Sequence, residues 1–453
     1  MTEKNQPGSF FERVKNLASR DHMPLRGEQD GRINVLLLGL AGENYPGENL
    51  TDSIIIASIN PKTYQTAMLS IPRDLFVQIP DTNSYTKINA LYARGKDKTG
   101  KDADGVEDLR MSLSEITALP IHYYIALDFD SFQQIIDELG GINIQVPKDI
   151  HDKRYPGPNY SYETFDIAEG LHNLDGATAL KYARTRHDED GDFGRAYHQQ
   201  QILESVRSKA FSLGTILNIP KINGILDTLG ENLRTDIELE ELDSFLDLTE
   251  KIDTHTTVNY VLNAGKPESI LAVSHVYLGG VRAFILIPRT GDYDEVHDVA
   301  KNIFDLEVIE RKKKEIANEN ASVAIINRSG VYGLDSKLSA LLKKFGYNSS
   351  TIRLSSRTTD PQTTVFDLTN GLKPFSLEDL AKKFSAKIEN GGSTSIMEVE
   401  PPADFILIAG PELGDKLNYE EDSVADLERG YDQQSIDERG YIELLKKGSN
   451  KKF

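Results

Sequence analysis

Apolar residues along this chain fall into short dense runs separated by polar turns, and between the runs they recur at helical spacing. Ile33-Asn-Val-Leu-Leu-Leu38, ending at Gly39, reads as a strand buried on both faces. Ser53–Ile59 and Thr66–Ile71 read as two more, and the last runs into Pro72-Arg73-Asp74. Val106, Leu109, Leu113 and Ile116 recur at three- and four-residue steps and predict a helix over 106–117. Tyr123–Leu127 and Ile142–Val146 predict strands around a short helix over 131–139 that Gly140-Gly141 stops. The Lys/Asp/Gly stretch 95–105 predicts a loop, and the Tyr/Pro/Gly-rich stretch 151–168 an excursion from the core. Ile202, Val206, Ala210 and Leu213 form the apolar face of a predicted helix over 197–213.

Past 214 the pattern predicts a helix over 239–252 and strands over 258–262 and 283–287. A charged segment, 305–321, reads as a helical linker. A second alternation follows, with strands at 322–327, 363–368 and 405–408 and helices at 334–345 and 377–384. The expected architecture is α/β: a central mixed sheet flanked by helices over 32–304, made of a core (32–213) and an extension (214–304). A second, smaller α/β domain covers 322–417. Residues 1–31 read as a flexible polar leader and 418–453 as a polar tail.

Composition changes the picture in three places. A net charge of −20 argues against a general nucleic-acid binder, which needs a basic face, but leaves room for a local cationic pocket. The absence of cysteine removes disulfides and thiolate metal sites. No run approaches the ~18 apolar residues of a membrane span, and no signal-peptide core is visible.

The chemistry concentrates in Lys181-Tyr-Ala-Arg-Thr-Arg-His-Asp-Glu-Asp-Gly-Asp-Phe-Gly-Arg195. In an extended segment Arg184 and Arg186 point to one side, and Arg195 lies where the next helix begins. Guanidinium forks match phosphate oxygens in pairs, so three of them suit a pyrophosphate. The competing reading is a solvated loop salt-bridged through Asp188, Glu189 and Asp190. Arg73-Asp74 offers two opposite charges at a strand end, where α/β folds place ligand contacts; a local charge pair at a turn is the competing reading.

These residues resemble the LytR-CpsA-Psr family of cell-envelope phosphotransferases, through eight blocks in family order. The first four are Val35-Leu-Leu-Leu-Gly39, Thr51-Asp-Ser53, Ser70-Ile-Pro-Arg-Asp74 and Lys87-Ile-Asn-Ala90. Tyr123-Tyr124 with Asp128-Phe129, Leu139-Gly-Gly141, Leu174-Asp-Gly176 and the Tyr-x-Arg-x-Arg / Gly-Asp-x-x-Arg / Gln-Gln cluster that begins at Tyr182 complete the set. Residues 322–409 are similar to the LytR-type C-terminal domain through Ile326-Asn-Arg-Ser-Gly330, Gly333-Leu334 and Ala403-Asp404.

The resemblance implies transfer of a glycopolymer phosphate from a polyprenyl-pyrophosphate carrier to a hydroxyl of peptidoglycan or another envelope acceptor. A pyrophosphatase side activity goes with it, and the lipid is expected in an apolar tunnel. It implies that Arg73, Arg184, Arg186 and Arg195 neutralise the phosphates, with Lys87 and Gln199 as further contacts. Asp74 and Asp192 would orient cations or take the acceptor's proton. Asp52 would hold Mg²⁺, with Mn²⁺ as the alternative ion and Glu43 as the second carboxylate. Ala41 and Leu50 stand where many members carry an aspartate and an arginine, and the membrane helix typical of the family is not visible. The location implied is the extracytoplasmic face of the envelope. The alternatives are a non-catalytic polyprenyl-pyrophosphate binder and a transcriptional attenuator, the label the family has carried; no nucleic-acid partner is expected.

Overall fold

The structure is a computed structural model that describes residues 23–43, 45, 47–156, 162–185, 191–212, 233–252, 257–264, 266, 269–352, 362–390, 402–422 and 444–449. It divides into two units: Met1–Arg73, Ile88–Arg110 and Pro120–Val261 in the first, and Asp74–Lys87, Met111–Leu119 and Leu262–Phe453 in the second. The fold class is mixed α/β, as the alternation of runs and helical spacing predicts.

The first unit is built on a six-stranded sheet of β1 (Ile33–Leu40), β2 (Thr51–Ile59), β3 (Thr66–Ser70), β4 (Tyr123–Leu127), β5 (Leu233–Thr235) and β6 (Val258–Val261), in the order β5-β4-β1-β2-β3-β6. β1, β2 and β3 form an antiparallel meander, while β4 lies parallel to β1 and β6 parallel to β3. The apolar runs carry little alternation because residues on both faces of β1 and β2 are buried. Leu25, Ile33, Val35, Ile59, Tyr123, Leu248 and Ile252 share one core cluster. The stretch 95–105, predicted as a loop, instead ends α1 (Leu91–Thr99) and begins α2 (Asp102–Thr117). Gly95 explains it: a Cβ there would lie 2.5 Å from the Asp104 carbonyl oxygen, so the glycines at 95 and 105 let two helical backbones touch.

A second correction concerns 151–168. Ile150–Pro156 and Tyr162–Ile167 form an antiparallel pair, and Tyr155, Phe165 and Ile167 are buried in one cluster with Ile142, Ile144, Tyr182 and Ile202. The prolines and the glycine that suggest an excursion, Pro156-Gly-Pro158, come at and after the end of the first strand in sequence, while apolar residues of both strands join the core.

α3 (Phe129–Glu138), α4 (Gly176–Arg184) and α5 (Gly191–Ser212) pack near this cluster. α5 starts six residues before the predicted 197, so Arg195 sits within the helix rather than ahead of it. α6 (Leu242–Lys251) completes the helices of the unit.

The second unit contains the hairpin Phe76–Gln78 and Tyr85–Lys87 and the antiparallel pair β7 (Leu271–Leu278) and β8 (Val281–Pro288). It also has a five-stranded sheet of β9 (Ser322–Asn327), β10 (Asn348–Ile352), β11 (Thr364–Asp367), β12 (Lys387–Asn390) and β13 (Phe405–Ala409), in the order β10-β9-β13-β11-β12. α7 (Asp294–Lys301) is joined to α8 (Pro374–Lys383) by Lys383–Glu295 at 2.6 Å and by Lys382–Asp298. The charged segment predicted as a helical linker is a helix, Glu307–Glu319, with no buried residue. No helix among the described residues is long and apolar enough to cross a membrane.

The Leu174-Asp-Gly176 block shows how sequence sets position. Asp175 caps α4 by accepting the Thr178 amide at 2.8 Å, and a Cβ on Gly176 would fall 2.3 Å from the Gln133 carbonyl oxygen of α3. We expect Gly176→Ala to cost about 1–3 kcal/mol in urea unfolding, because a helix backbone cannot yield as a side chain can. Asp175→Ala should cost about 1 kcal/mol. The hydrogen bonds from Thr178 hold the Asp175 carboxyl below its ordinary value. This contribution is present above the unfolded carboxyl value and is lost as pH falls through the lowered folded one. The Asp175→Ala difference should therefore vanish in acid while the Gly176→Ala difference persists.

Candidate functional site

The antiparallel register of β2 and β3, with Ile55 opposite Ser70, brings the start of one strand beside the end of the other. Asp52 is the second residue of β2, and Arg73 lies just past the end of β3. The Arg73 Nη1 donates to Asp52 Oδ1 at 2.7 Å. β6 is parallel to β3 and its last residue, Val261, pairs with Ser70, so a third strand end arrives at the same place. Arg195 and Gln199, one helical turn apart on α5, face that spot. The Arg195 guanidinium, 5% exposed as a residue, points its Nη2 at the Asp52 carbonyl oxygen, 3.5 Å away.

These strand ends and the α5 face line one cleft, which includes Asp52, Ser70, Arg73, Arg195 and Gln199. Its free volume is about 20 Å³, room for roughly one water. With Arg73 bridged to Asp52, the cleft is drawn nearly shut.

Three consecutive glutamines fix α5 against its surroundings, because successive helical residues point about 100° apart. Gln199 donates to the Ala183 carbonyl of α4 at 3.2 Å. Gln200, 1% exposed, donates to Ser70 Oγ at 2.8 Å and sits 3.4 Å from the Tyr260 carbonyl. Gln201 accepts from the Tyr182 hydroxyl at 2.7 Å and donates to the Gln145 carbonyl at 3.2 Å. Gln200 is the positioning residue that sequence reasoning passed over in favour of Gln199. It ties α5 to β3 and to the edge strand β6 and thereby sets Arg195. The available signal was an uninterrupted polar run on a helix otherwise expected to turn an apolar face inward.

The other predicted residues are placed differently. Arg184 is the last residue of α4, so it lies in a helical turn rather than in an extended segment. Its guanidinium stacks over the Phe129 ring at 4.4 Å and donates to the Tyr155 hydroxyl at 3.2 Å, and it is not among the described residues lining the cleft. Burial pushes the Tyr155 hydroxyl up, while the Arg184 charge pulls it back. Arg186 lies outside the described residues, as does the side chain of Asp192.

In the second unit Lys87 donates to Asp74 Oδ1 at 2.5 Å, and both residues are buried, so each satisfies a charge of the other. Ala41 is buried and Glu43 exposed. Among the described residues no group of three or more His, Asp or Glu is arranged to hold a metal. A cleft with Asp52 as its carboxylate suits a hard ion that takes one or two carboxylates and fills its shell with phosphate oxygens and water; it is no dedicated cage.

Comparison with known proteins places this geometry in context. Regulatory protein MsrR of Staphylococcus aureus (strain COL) is 34% identical over 201 residues, which are 44% of this chain and 55% of that protein. TagV of Bacillus subtilis (strain 168), a polyisoprenyl-teichoic acid–peptidoglycan teichoic acid transferase, is 37% identical over 213 residues, 46% of this chain and 51% of that protein. TagU of Oceanobacillus iheyensis, with the same activity in its name, is 34% identical over 251 residues, 53% of this chain and 72% of that protein. A crystal structure of B. subtilis TagV aligns with a TM-score of 0.46 at 30% identity, covering 60% of this chain and 97% of that one. The chain spans about half the length of MsrR and of TagV. The family model for LytR_cpsA_psr matches residues 3–275, more than half of the chain, and by that match the protein belongs to the LytR_cpsA_psr family.

Proposed function

We propose that the chain is a cell-envelope transferase that moves a glycopolymer phosphate from a polyprenyl-pyrophosphate carrier to a hydroxyl of peptidoglycan or another envelope acceptor. One observation carries the reading: Arg73 and Arg195, 122 positions apart in sequence, meet on Asp52 in one cleft. They do so in a chain whose relatives TagV and TagU are named for this transfer. The proposed setting is the extracytoplasmic face of the envelope.

In the proposed reaction the acceptor oxygen attacks the phosphorus that bears the glycopolymer. The bond from that phosphorus to the bridging oxygen breaks, and its electron pair leaves with polyprenyl phosphate. The acceptor's proton passes to a carboxylate, for which Asp192 is the candidate; Asp74 belongs to the second unit, buried in its pair with Lys87. Water in the acceptor's place would give a pyrophosphatase side reaction. Such a displacement asks mainly for positioning and for charge neutralisation on phosphate oxygens. Arg73 and Arg195 supply rigid donor forks, and the amino-terminal turns of α5 add a favourable dipole. The pyrophosphate takes the place of Asp52 as the partner of Arg73, which opens the cleft and frees the carboxylate. Mg²⁺, or Mn²⁺ in its stead, held by Asp52 together with phosphate oxygens, would supply further neutralisation of the leaving group. Arg184, stacked on Phe129, is assigned to supporting these groups.

Two outcomes are expected with a radiolabelled lipid-pyrophosphate glycopolymer. Asp52→Ala should keep lipid binding, since it removes a competitor for Arg73, while turnover falls at least ~100-fold, about 2.7 kcal/mol. Full turnover in that variant would reduce Asp52 to a structural partner and end the metal assignment. Arg73→Ala and Arg195→Ala should each lower turnover by ~100-fold or more, and the double variant by less than the product of the two, because both act on one pyrophosphate. Strictly multiplicative losses would mean that the two arginines serve separate groups. Tight lipid binding by the parent with no product would leave a binder of prenyl pyrophosphates.

A further inference from the structure

The second unit holds a larger cleft, of about 370 Å³, that the pyrophosphate chemistry does not use. It is bounded by the hairpin Phe76–Gln78/Tyr85–Lys87, the last turns of α2 and the segment from β8 into α7. Its size falls in the ~300–1,000 Å³ range of small-ligand sites. The Phe76 and Tyr85 rings are stacked along one wall with centroids 5.9 Å apart, and Tyr293 stands nearby with its hydroxyl 3.5 Å from the Phe76 carbonyl.

Polar groups surround these rings. Ser112, 4% exposed, lines the cleft, and its Oγ has no hydrogen-bond partner among the described residues. The Glu115 backbone carbonyl accepts from His297, but its carboxylate has no partner among the described residues. That charge lies close enough to raise the hydroxyl values of both Tyr85 and Tyr293, each chiefly raised by burial. The Gln78 amide is oriented by Tyr85 at 3.2 Å and by the Thr82 carbonyl at 2.5 Å. Asp292 is bridged to Lys416 at 2.9 Å, and Asp294 completes the acidic side.

We propose that this cleft binds a short, uncharged saccharide. A sugar ring has an apolar face for the aromatic wall and an edge of hydroxyls that both donate and accept. The carboxylates of Glu115 and Asp294 accept from such hydroxyls, and the Ser112 hydroxyl gains the partner that burial denies it. The three carboxylates at 115, 292 and 294 outnumber the one lysine that lines the cleft, Lys416, so phosphorylated or uronic sugars are disfavoured. An isoprenoid would strand this many polar groups without partners. The proposal does not rest on the pyrophosphate reading, and each can fail alone.

The test is titration calorimetry and saturation-transfer NMR on the full chain. The probes are cellotriose and tri-N-acetylchitotriose, both uncharged, with trigalacturonate as the anionic control. At least one neutral probe should bind saturably and trigalacturonate should not. Tyr85→Ala should weaken the neutral probe by about 10-fold or more. Tyr85→Phe, which keeps the ring, should retain most of the affinity and guards against misfolding as the cause. Glu115→Gln, at an exposed position, should weaken the neutral probe and relax the exclusion of trigalacturonate. The proposal is overturned if neither neutral probe saturates, if trigalacturonate binds equally well, or if Tyr85→Ala leaves affinity unchanged.

Discussion

The site depends on a single strand register. Ile55 opposite Ser70 fixes β2 against β3 so that Asp52 and Arg73 meet, although 21 positions separate them. A slip of one residue would turn every side chain of β3 to the other face and separate the pair. Such a slip would also turn Ser70 away from the Gln200 amide, which bonds it at 2.8 Å, so the contact with α5 helps enforce the register. Gln200 extends that constraint from sheet to helix. Its amide spends its hydrogens on Ser70 and on carbonyls of β3 and β6, and Arg195 arrives at the cleft because the helix is held there.

The Arg73–Asp52 bridge also explains how an acidic chain keeps a cationic cleft. With a net charge of −20, the long-range field repels phosphates, so any attraction must act at short range. An arginine held by a carboxylate is screened until a better anion displaces that carboxylate. The small free volume of the cleft and the bridge across it are two aspects of one closed arrangement.

Much of this was legible in the sequence. The dense runs at 33–38, 53–59 and 66–71 gave the central strands to within a residue or two, because strands buried on both faces leave no other pattern. The arginine-rich stretch, with Arg73-Asp74, pointed to phosphate chemistry and named Arg73, Arg195 and Asp52 together only through the family resemblance. Spacing misled where helix geometry intervened. Arg184 and residue 186 look like neighbours on an extended segment, yet Arg184 closes a helix and lies against Phe129. The helices around Gly95 and Gly105 were read as a loop because glycine marks turns far more often than backbone contact. Gln200 is not legible in the sequence because a glutamine on a helix is usually solvated, and only the packing of β3 and β6 against α5 gives it carbonyls to bind.

The central claim, that Arg73 and Arg195 form one pyrophosphate site, is tested most directly by comparing two ligands that differ by one phosphate. Farnesyl pyrophosphate and farnesyl monophosphate should be titrated into the full chain at matched ionic strength. The account predicts that the pyrophosphate binds at least ~10-fold more tightly, about 1.4 kcal/mol, because only it can engage both guanidinium forks. Equal affinity for the two ligands would contradict it.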